Sequence, residues 1–252
     1  ERNDMRDTGF RALTLGNRHN RLGNTKAALG YYDEALGAEL STKNRGTAIV
    51  GKVKMLWLAG KTADLAVLLA SRLENLDAAA TLELAWLRAA IEYQSSGDFR
   101  PLIRIVKSAA VVIQSYRAEA IHWACCGVER PEKRLREIGR LAPRRGTHPS
   151  EGIWHQSAKV IADCYLDSDD TDARVHSLAE ILEQARTLLN IEQMLLVYGS
   201  AFRWLARVRR ADLARLVYLE YVALSHRLTE GADWDALGMF GDILEREWLA
   251  AS

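Results

Sequence analysis

The chain has 252 residues, of which 48% are hydrophobic and 27% charged, and its formal net charge is +1. This composition is typical of a globular protein and excludes a disordered chain, and the near-neutral charge gives no overall attraction to nucleic acid or anionic membranes. Only four prolines occur, and the abundance of Ala, Leu, Arg and Glu favours an all-α protein. No apolar run reaches about 18 residues, so we expect no membrane-spanning helix.

The cysteine content is low, with Cys125, Cys126 and Cys164 as the three cysteines of the chain. Such an odd and small number argues against a disulfide framework. We therefore expect free thiols and a reducing compartment, the cytoplasm. The richness in Ala, Leu and Arg is typical of a bacterial source.

Three glycines recur at equal intervals in the first part of the chain. Gly23, Gly60 and Gly97 follow one another at a spacing of 37 residues. An amphipathic helical pattern precedes each glycine and another follows it, so each glycine predicts the turn of a helical hairpin. The predicted helices cover residues 6–22, 25–38, 43–59, 62–74, 79–95 and 98–110.

Three further hairpins are predicted downstream. Pro131 suits the first turn of a helix, and the acidic stretch DSDDTD at 167–172 predicts a cap for the helix after it. The most loop-like segment, PRRGTHPSEG at 143–152, separates two sub-regions, 1–142 and 150–252. The predicted helices cover residues 115–128, 131–142, 151–166, 172–189, 191–208 and 211–228, with a last one over 233–250.

A single hairpin cannot bury its apolar stripe, whereas stacked hairpins share a continuous core. We therefore expect residues 1–252 to form one α-solenoid domain of about six hairpins plus a C-terminal helix. Small residues are regularly spaced in the first hairpin, for example at Gly16, although glycine costs roughly 1 kcal/mol relative to alanine inside a helix. This spacing predicts that two helices approach closely there.

Residues 9–42 resemble a tetratricopeptide repeat, a helical hairpin of about 34 residues. The matching positions are Leu15, Gly16, Gly23, Ala28, Tyr32, Ala35 and Leu36. His19 stands where a tyrosine is usual, and Leu40 replaces the usual terminal proline. The second and third hairpins keep the turn glycine and the apolar pattern, and beyond residue 110 the chain resembles helical repeats in general.

The resemblance implies a right-handed α-α superhelix whose concave groove is lined by the first helix of each hairpin. Proteins of this family mostly bind a peptide or another protein in that groove. Carried over position by position, the groove residues are Leu13, Asn17, Asn20 and Arg21, then Val50, Lys54, Trp57 and Leu58, then Leu87, Arg88, Ile91 and Gln94. With Lys54, Trp57 and Arg88, this groove suits a partly apolar, partly acidic peptide.

One cluster has ligand-like residue types. His122, Cys125 and Cys126 lie at i, i+3 and i+4 of a predicted helix. A structural zinc normally needs four ligands, and no second motif completes the set, so buried free cysteines are the favoured interpretation. The six histidines are scattered, and no phosphate-binding or dinucleotide-binding glycine motif occurs. We therefore expect no enzyme, no catalytic residue, no metal and no cofactor.

Arginines are concentrated in the sequence FRWLARVRR. Arg203, Arg207 and Arg210 lie at i, i+4 and i+7, so they share one face of a helix. Such a patch could bind an acidic partner or phosphates. The alternative for the arginine-rich helices is a solvated surface with i,i+4 pairing to Glu132 or Glu137.

These patterns favour a non-enzymatic scaffold that binds a protein or peptide partner in the concave groove. One alternative is a ligand- or peptide-sensing module of a larger signalling or transcription regulator, with which Glu1 in place of a starting methionine is compatible. The other alternative is a phosphate or nucleic-acid binder that uses the arginine-rich helices, which the neutral net charge disfavours. Self-association through the last amphipathic helix is a further expectation, and no membrane contact is expected.

Overall fold

The computed structural model describes residues 2–71, 76–108, 114–127, 130–139, 141, 149–166 and 170–227. Every regular element in these ranges is an α-helix, which confirms the all-α fold class. The chain divides into two compact units: unit 1 includes the residues up to Ser95, and unit 2 includes Ser96–Ser225. The predicted helix over 233–250 and most of the loop-like segment 143–152 lie outside the described residues.

Unit 1 contains two helical hairpins followed by a fifth helix. Its helices are α1 (Arg2–Arg21), α2 (Thr25–Gly37), α3 (Thr42–Leu58), α4 (Thr62–Ala70) and α5 (Ala78–Ser96). Helices α1 and α2 pack together as the first hairpin, and α3 contacts both of them. The small residues Ala28 and Ala35 are fully buried on α2 beside Tyr32. Small side chains at these positions let the helix axes approach, as the sequence predicted for this hairpin.

The turn glycines adopt the backbone that the equal spacing predicted. Gly23, Gly60 and Gly97 have φ values of +75°, +66° and +70°, in the left-handed region that residues with a β-carbon rarely adopt. After Gly23, the Asn24 N–H donates to His19 O at 2.9 Å. After Gly60, the Lys61 N–H donates in the same way to Leu56 O at 3.0 Å. This hydrogen bond, from an N–H to the carbonyl five residues earlier, satisfies a carbonyl at the end of the preceding helix.

Helix α4 is shorter than the sequence suggested. It was predicted over 62–74, but it ends at Ala70 because Ser71 is extended, with φ −64° and ψ 147°. The Ser71 hydroxyl donates to Leu68 O at 2.6 Å. The serine side chain therefore takes up one of the carbonyls that a continuing helix would have used.

Unit 2 is arranged around one buried helix. Its helices are α6 (Arg100–Ser108), α7 (Gln114–Gly127), α8 (Pro131–Ile138), α9 (Pro149–Leu166), α10 (Thr171–Leu188), α11 (Ile191–Arg207) and α12 (Ala211–Arg227). Helix α11 is buried on all sides from Met194 to Ala206, and it contacts α7, α9 and α10. A helix that is apolar all round occupies the core of its domain.

Local signals explain where the helices of unit 2 begin and end. Helix α8 was predicted to reach residue 142, but it ends at Ile138, where Gly139 turns to φ +79°. Asp170 accepts a hydrogen bond from Ala173 N at 3.0 Å, which confirms the cap predicted in the acidic stretch. Between α11 and α12 the left-handed residue is Arg209, with φ 60°, so this turn is made without glycine.

Candidate functional site

Helices α1, α3 and α5 of unit 1 carry a set of polar side chains, which we call the polar face. Its members are Asn17 and Asn20 of α1, Lys54 and Trp57 of α3, and Glu83 and Gln94 of α5. All six are partly buried. All of them except Glu83 lie at groove positions implied by the repeat resemblance.

The polar face is organised at one end by the buried Tyr32. Its hydroxyl donates to Asn17 Oδ1 at 2.9 Å and accepts from Asn20 Nδ2 at 3.1 Å. Burial raises the pKa of Tyr32 above its usual value, so the hydroxyl keeps its proton at neutral pH. The tyrosine therefore reaches from α2 between the two asparagines of α1 and sets the orientation of both amides.

The tyrosine ring fits only because two glycines flank it. A β-carbon at Gly16 would lie 2.9 Å from Tyr32 Cδ1, and one at Gly51 would lie 2.3 Å from Tyr32 Cζ. Real β-carbons do not come so close to a ring atom, so both glycines are required for the ring to lie between α1 and α3. Gly51 is not among the residues that match the repeat, and nothing local in the sequence indicates that it meets a ring of another helix.

The rest of the polar face is held by contacts between α3 and α5. Lys54 Nζ lies 3.0 Å from Glu83 Oε1, and Trp57 Nε1 donates to Gln94 Oε1 at 2.6 Å. Partly buried ion pairs and side-chain hydrogen bonds of this kind restrict rotamers before any partner arrives. Trp57 follows Lys54 by three residues on α3, and its large aromatic side chain is partly buried.

The structure places the remaining predicted groove residues at three kinds of position. Leu13, Val50, Leu58 and Leu87 are buried and contribute to the core of unit 1. Arg21 is exposed and Ile91 is partly exposed. Arg88 is exposed too, but its Nη2 donates to Leu69 O at 2.8 Å, at the end of α4. The Arg88 guanidinium therefore contacts a second helix rather than Lys54 or Trp57.

The three arginines of unit 2 do not form the exposed patch that their spacing suggested. Arg203 is buried, and its Nη1 donates to Cys125 O at 3.3 Å and to Cys126 O at 2.9 Å. These carbonyls belong to the last turn of α7, where a cation is favoured by the helix dipole. The physical reason for the difference is that α11 is surrounded by other helices, so one of its faces cannot be a surface.

Arg207 and Arg210 each bind a different acidic residue. Arg207 Nη2 lies 2.5 Å from Glu132 Oε1, and its guanidinium lies 5.7 Å from the centre of the Tyr165 ring. Arg210 Nη1 lies 2.9 Å from Asp172 Oδ1. The Arg207–Glu132 pair joins α11 to α8, whereas the alternative from the sequence was pairing to Glu132 or Glu137 within one helix.

His122 and its neighbouring cysteines point to different partners within the core of unit 2. Cys126 Sγ donates to Leu196 O at 3.5 Å. Burial raises the pKa of the Cys125 thiol well above its usual value, and it raises the pKa of Cys164 to about 12, so both are neutral thiols at physiological pH. Among the residues that the structure describes, no three His, Cys, Asp or Glu side chains are grouped to hold a metal.

His122 lies where α7, α9 and α11 meet, and it is fully buried. Its Nδ1 lies 2.9 Å from Ser200 Oγ and its Nε2 lies 3.1 Å from Ser157 Oγ, while its ring stacks on Trp154 at 4.7 Å. Burial lowers the pKa of His122 to about 3. The two serines were not identified from the sequence, because nothing local indicates that they meet a histidine of another helix.

A neutral imidazole has one donor and one acceptor nitrogen. His122 therefore donates to one serine and accepts from the other. Ser157 Oγ also lies 2.8 Å from Trp154 O, and Ser200 Oγ lies 2.7 Å from Leu196 O. The serine that accepts from the ring donates its hydroxyl hydrogen to a carbonyl of its own helix, and the other serine donates to the ring. These buried hydrogen bonds join α7, α9 and α11.

Within the described residues, no helix combines the length and the apolar character needed to cross a membrane. Compared with known proteins, the chain matches no family model, no curated protein and no solved structure.

Proposed function

We propose that the chain is a non-enzymatic interaction module that binds an extended peptide segment of a partner protein on the polar face of unit 1. The proposal includes a tetratricopeptide-like superhelix as the scaffold and the cytoplasm as the location. It rests mainly on the hydrogen bonding of Tyr32 with Asn17 and Asn20.

The tyrosine hydroxyl has a single hydrogen, so it donates to one amide and accepts from the other. Whichever way round the bonds run, one asparagine keeps its NH₂ group and the other keeps its carbonyl oxygen for an outside partner. The two asparagines lie one helical turn apart on α1. Their free NH₂ group and carbonyl oxygen match the C=O and N–H of a peptide backbone. Each such bond contributes roughly 1 kcal/mol, and the amides are already oriented.

The α3 part of the polar face supplies the side-chain preference. Trp57 presents an aromatic surface, and rings of this type are frequent anchors in interfaces. Lys54 adds a positive charge whose partner Glu83 is itself about one-third exposed, so an acidic residue of the peptide can compete for it. The preferred segment is therefore extended, with an apolar residue close to an acidic one.

The experiment is a selection of peptides from a random library with the purified chain, followed by fluorescence anisotropy with the enriched peptides. Lys54→Glu and Asn17→Ala should each weaken binding about tenfold, which corresponds to about 1.4 kcal/mol. Arg88→Glu is the matched control, because Arg88 is a cation of unit 1 whose guanidinium lies against α4. Equal losses in Lys54→Glu and Arg88→Glu, or no enriched peptide, would contradict the proposal.

The two alternatives from the sequence stay predictions. The phosphate or nucleic-acid alternative needs an exposed arginine stripe, whereas Arg203 is buried and Arg207 and Arg210 are paired with carboxylates. The sensing-module alternative would use the same polar face, with the peptide as its signal.

A further inference from the structure

A groove runs between α10 and α12 in unit 2, with α11 as its floor. Its volume is about 640 Å³, inside the range of roughly 300–1,000 Å³ that is typical of small-molecule sites. Its walls are mainly aliphatic and include Leu178, Leu182, Leu205, Leu216 and Val217. Leu216 is 60% exposed, and large aliphatic side chains left exposed around a recess are typical of a binding surface.

One ion pair joins α10 to α12 across this groove, and a second pair lies just outside the residues that line it. Arg210 pairs with Asp172 near the N-terminal ends of the two helices, and Arg186 Nη2 lies 2.5 Å from Glu220 Oε1 further along. Between Asp172 and Arg186, α10 advances about 21 Å at about 1.5 Å per residue. A docked helix, about 10–12 Å across, would have to separate Arg186 from Glu220, whereas an alkyl chain is thin enough to lie along the groove beside this pair.

The helical walls offer no free backbone hydrogen-bonding groups along the groove, which limits where a ligand can be polar. The backbone groups inside α10, α11 and α12 are used within the helices themselves. An extended peptide in this groove would bury its own backbone groups without partners, which costs several kcal/mol. A suitable ligand is therefore apolar along its length and polar at one end.

The polar end of the groove contains one guanidinium group, two carboxylates and one phenol hydroxyl. The Tyr198 hydroxyl donates to Leu182 O at 3.5 Å, and nearby Tyr198, Glu220 and Glu183 raise the pKa of Arg186. Burial raises the pKa of Tyr198, so its hydroxyl is neutral. An anionic head group would meet the two carboxylates, and a cationic one would compete with Arg186 for them. A neutral head group can instead exchange hydrogen bonds with the hydroxyl and the guanidinium.

We propose that the groove between α10 and α12 binds a neutral long-chain amphiphile, such as a fatty alcohol or an acyl ester. Its alkyl chain lies along Leu178, Leu205 and Val217, and its head group lies at Tyr198 and Arg186. This site belongs to unit 2 and shares no residue with the polar face, so it is a binding function additional to peptide recognition.

The test is a titration of the full chain with Nile red, a neutral fluorescent probe, followed by displacement with dodecanol, dodecanoate and dodecyltrimethylammonium below their micelle concentrations. Nile red should bind, and dodecanol should displace it at a concentration about tenfold lower than either charged amphiphile. Displacement by all three at equal concentrations would overturn the neutral head group. Displacement by an amphipathic helical peptide but not by dodecanol would overturn the proposal as a whole.

Two variants locate the site. Ala179→Trp fills the groove from α10, since Ala179 lines it and is exposed. Ala173→Trp is the matched control, an exposed alanine of the same helix outside the groove. Ala179→Trp should weaken Nile red binding about tenfold, and Ala173→Trp should leave it unchanged. If Ala179→Trp alters the circular dichroism spectrum, Leu216→Asp is used as the groove variant instead. It should also weaken Nile red binding about tenfold. Equal binding by the groove variant and the control would overturn the assignment.

Discussion

Gly51 and Tyr32 belong to different helices and require each other, since a β-carbon at Gly51 would lie 2.3 Å from Cζ of the tyrosine. Gly16 approaches the same ring from α1. The ring thereby fills the space between α1 and α3, and its hydroxyl reaches the asparagines of the polar face. The packing of the first hairpin and the candidate site are thus one arrangement.

Gly51→Ala should destabilise the protein by about 1–3 kcal/mol, because the added methyl group overpacks the ring. The matched control is Gly30→Ala, since Gly30 is also helical and has nothing within 4 Å of an added β-carbon. That control should be neutral or stabilising by up to about 1 kcal/mol, from helix propensity. Urea unfolding measures both, and a stable Gly51→Ala protein would contradict the close approach.

Tyr32→Phe tests the hydroxyl separately from the ring. The variant keeps the packing but removes both hydrogen bonds to Asn17 and Asn20, so the free energy of unfolding should fall by about 0.5–1.5 kcal/mol. Tyr32→Phe should weaken peptide binding more than the control variant Arg88→Glu does, because the two asparagine amides lose the hydroxyl that orients them. A variant with unchanged stability and unchanged peptide affinity would show that the hydroxyl orders nothing.

His122 should make the stability of the protein depend on pH in the acidic range. Its pKa is about 3 in the folded protein and about 6.5 when unfolded, so the unfolded state binds the extra proton between these values. Stability is therefore present above about pH 6.5 and is lost as the pH falls towards 3, by on the order of 1 kcal/mol per pH unit.

The measurement is urea unfolding from pH 4.5 to 7.5 for the wild type, His122→Gln and His176→Gln. Carboxylates also titrate in this range, so the difference between wild type and variant isolates the histidine. His122→Gln should be less stable at pH 7.5 and should lose part of the slope. His176 is 80% exposed, so His176→Gln should keep the slope. A pH-independent difference for His122→Gln would contradict the assignment.

Arg203→Met should cost about 2–3 kcal/mol, because it leaves the carbonyls of Cys125 and Cys126 without their buried donor. Arg207→Met is the control on the same helix. Its guanidinium binds Glu132 near the surface, where an ion pair contributes about 0–1 kcal/mol. Thermal unfolding by circular dichroism compares the two. Equal losses would show that the buried hydrogen bonds of Arg203 are no stronger than a surface pair.

The sequence by itself determined the helical content, the positions of the first turns and several helix caps. Gly23, Gly60 and Asp170 could be interpreted correctly because a left-handed turn and a helix cap depend on a few neighbouring residues. The end of α8 at Gly139 had the same kind of local signal, which the apolar pattern beyond it obscured. The repeat resemblance implied that Lys54 and Trp57 share one side of α3, in keeping with their spacing of three residues.

Only the tertiary structure decided which helix faces are exposed and which side chains meet. Arg203 and Arg207 lie one turn apart, yet one is buried against the end of α7 and the other pairs at the surface. Gly51 matters because of a ring brought to it from α2, and Ser157 and Ser200 matter because two helices bring them to His122. These relationships join residues distant in sequence, and periodicity within a helix carries no information about which neighbour will pack against it.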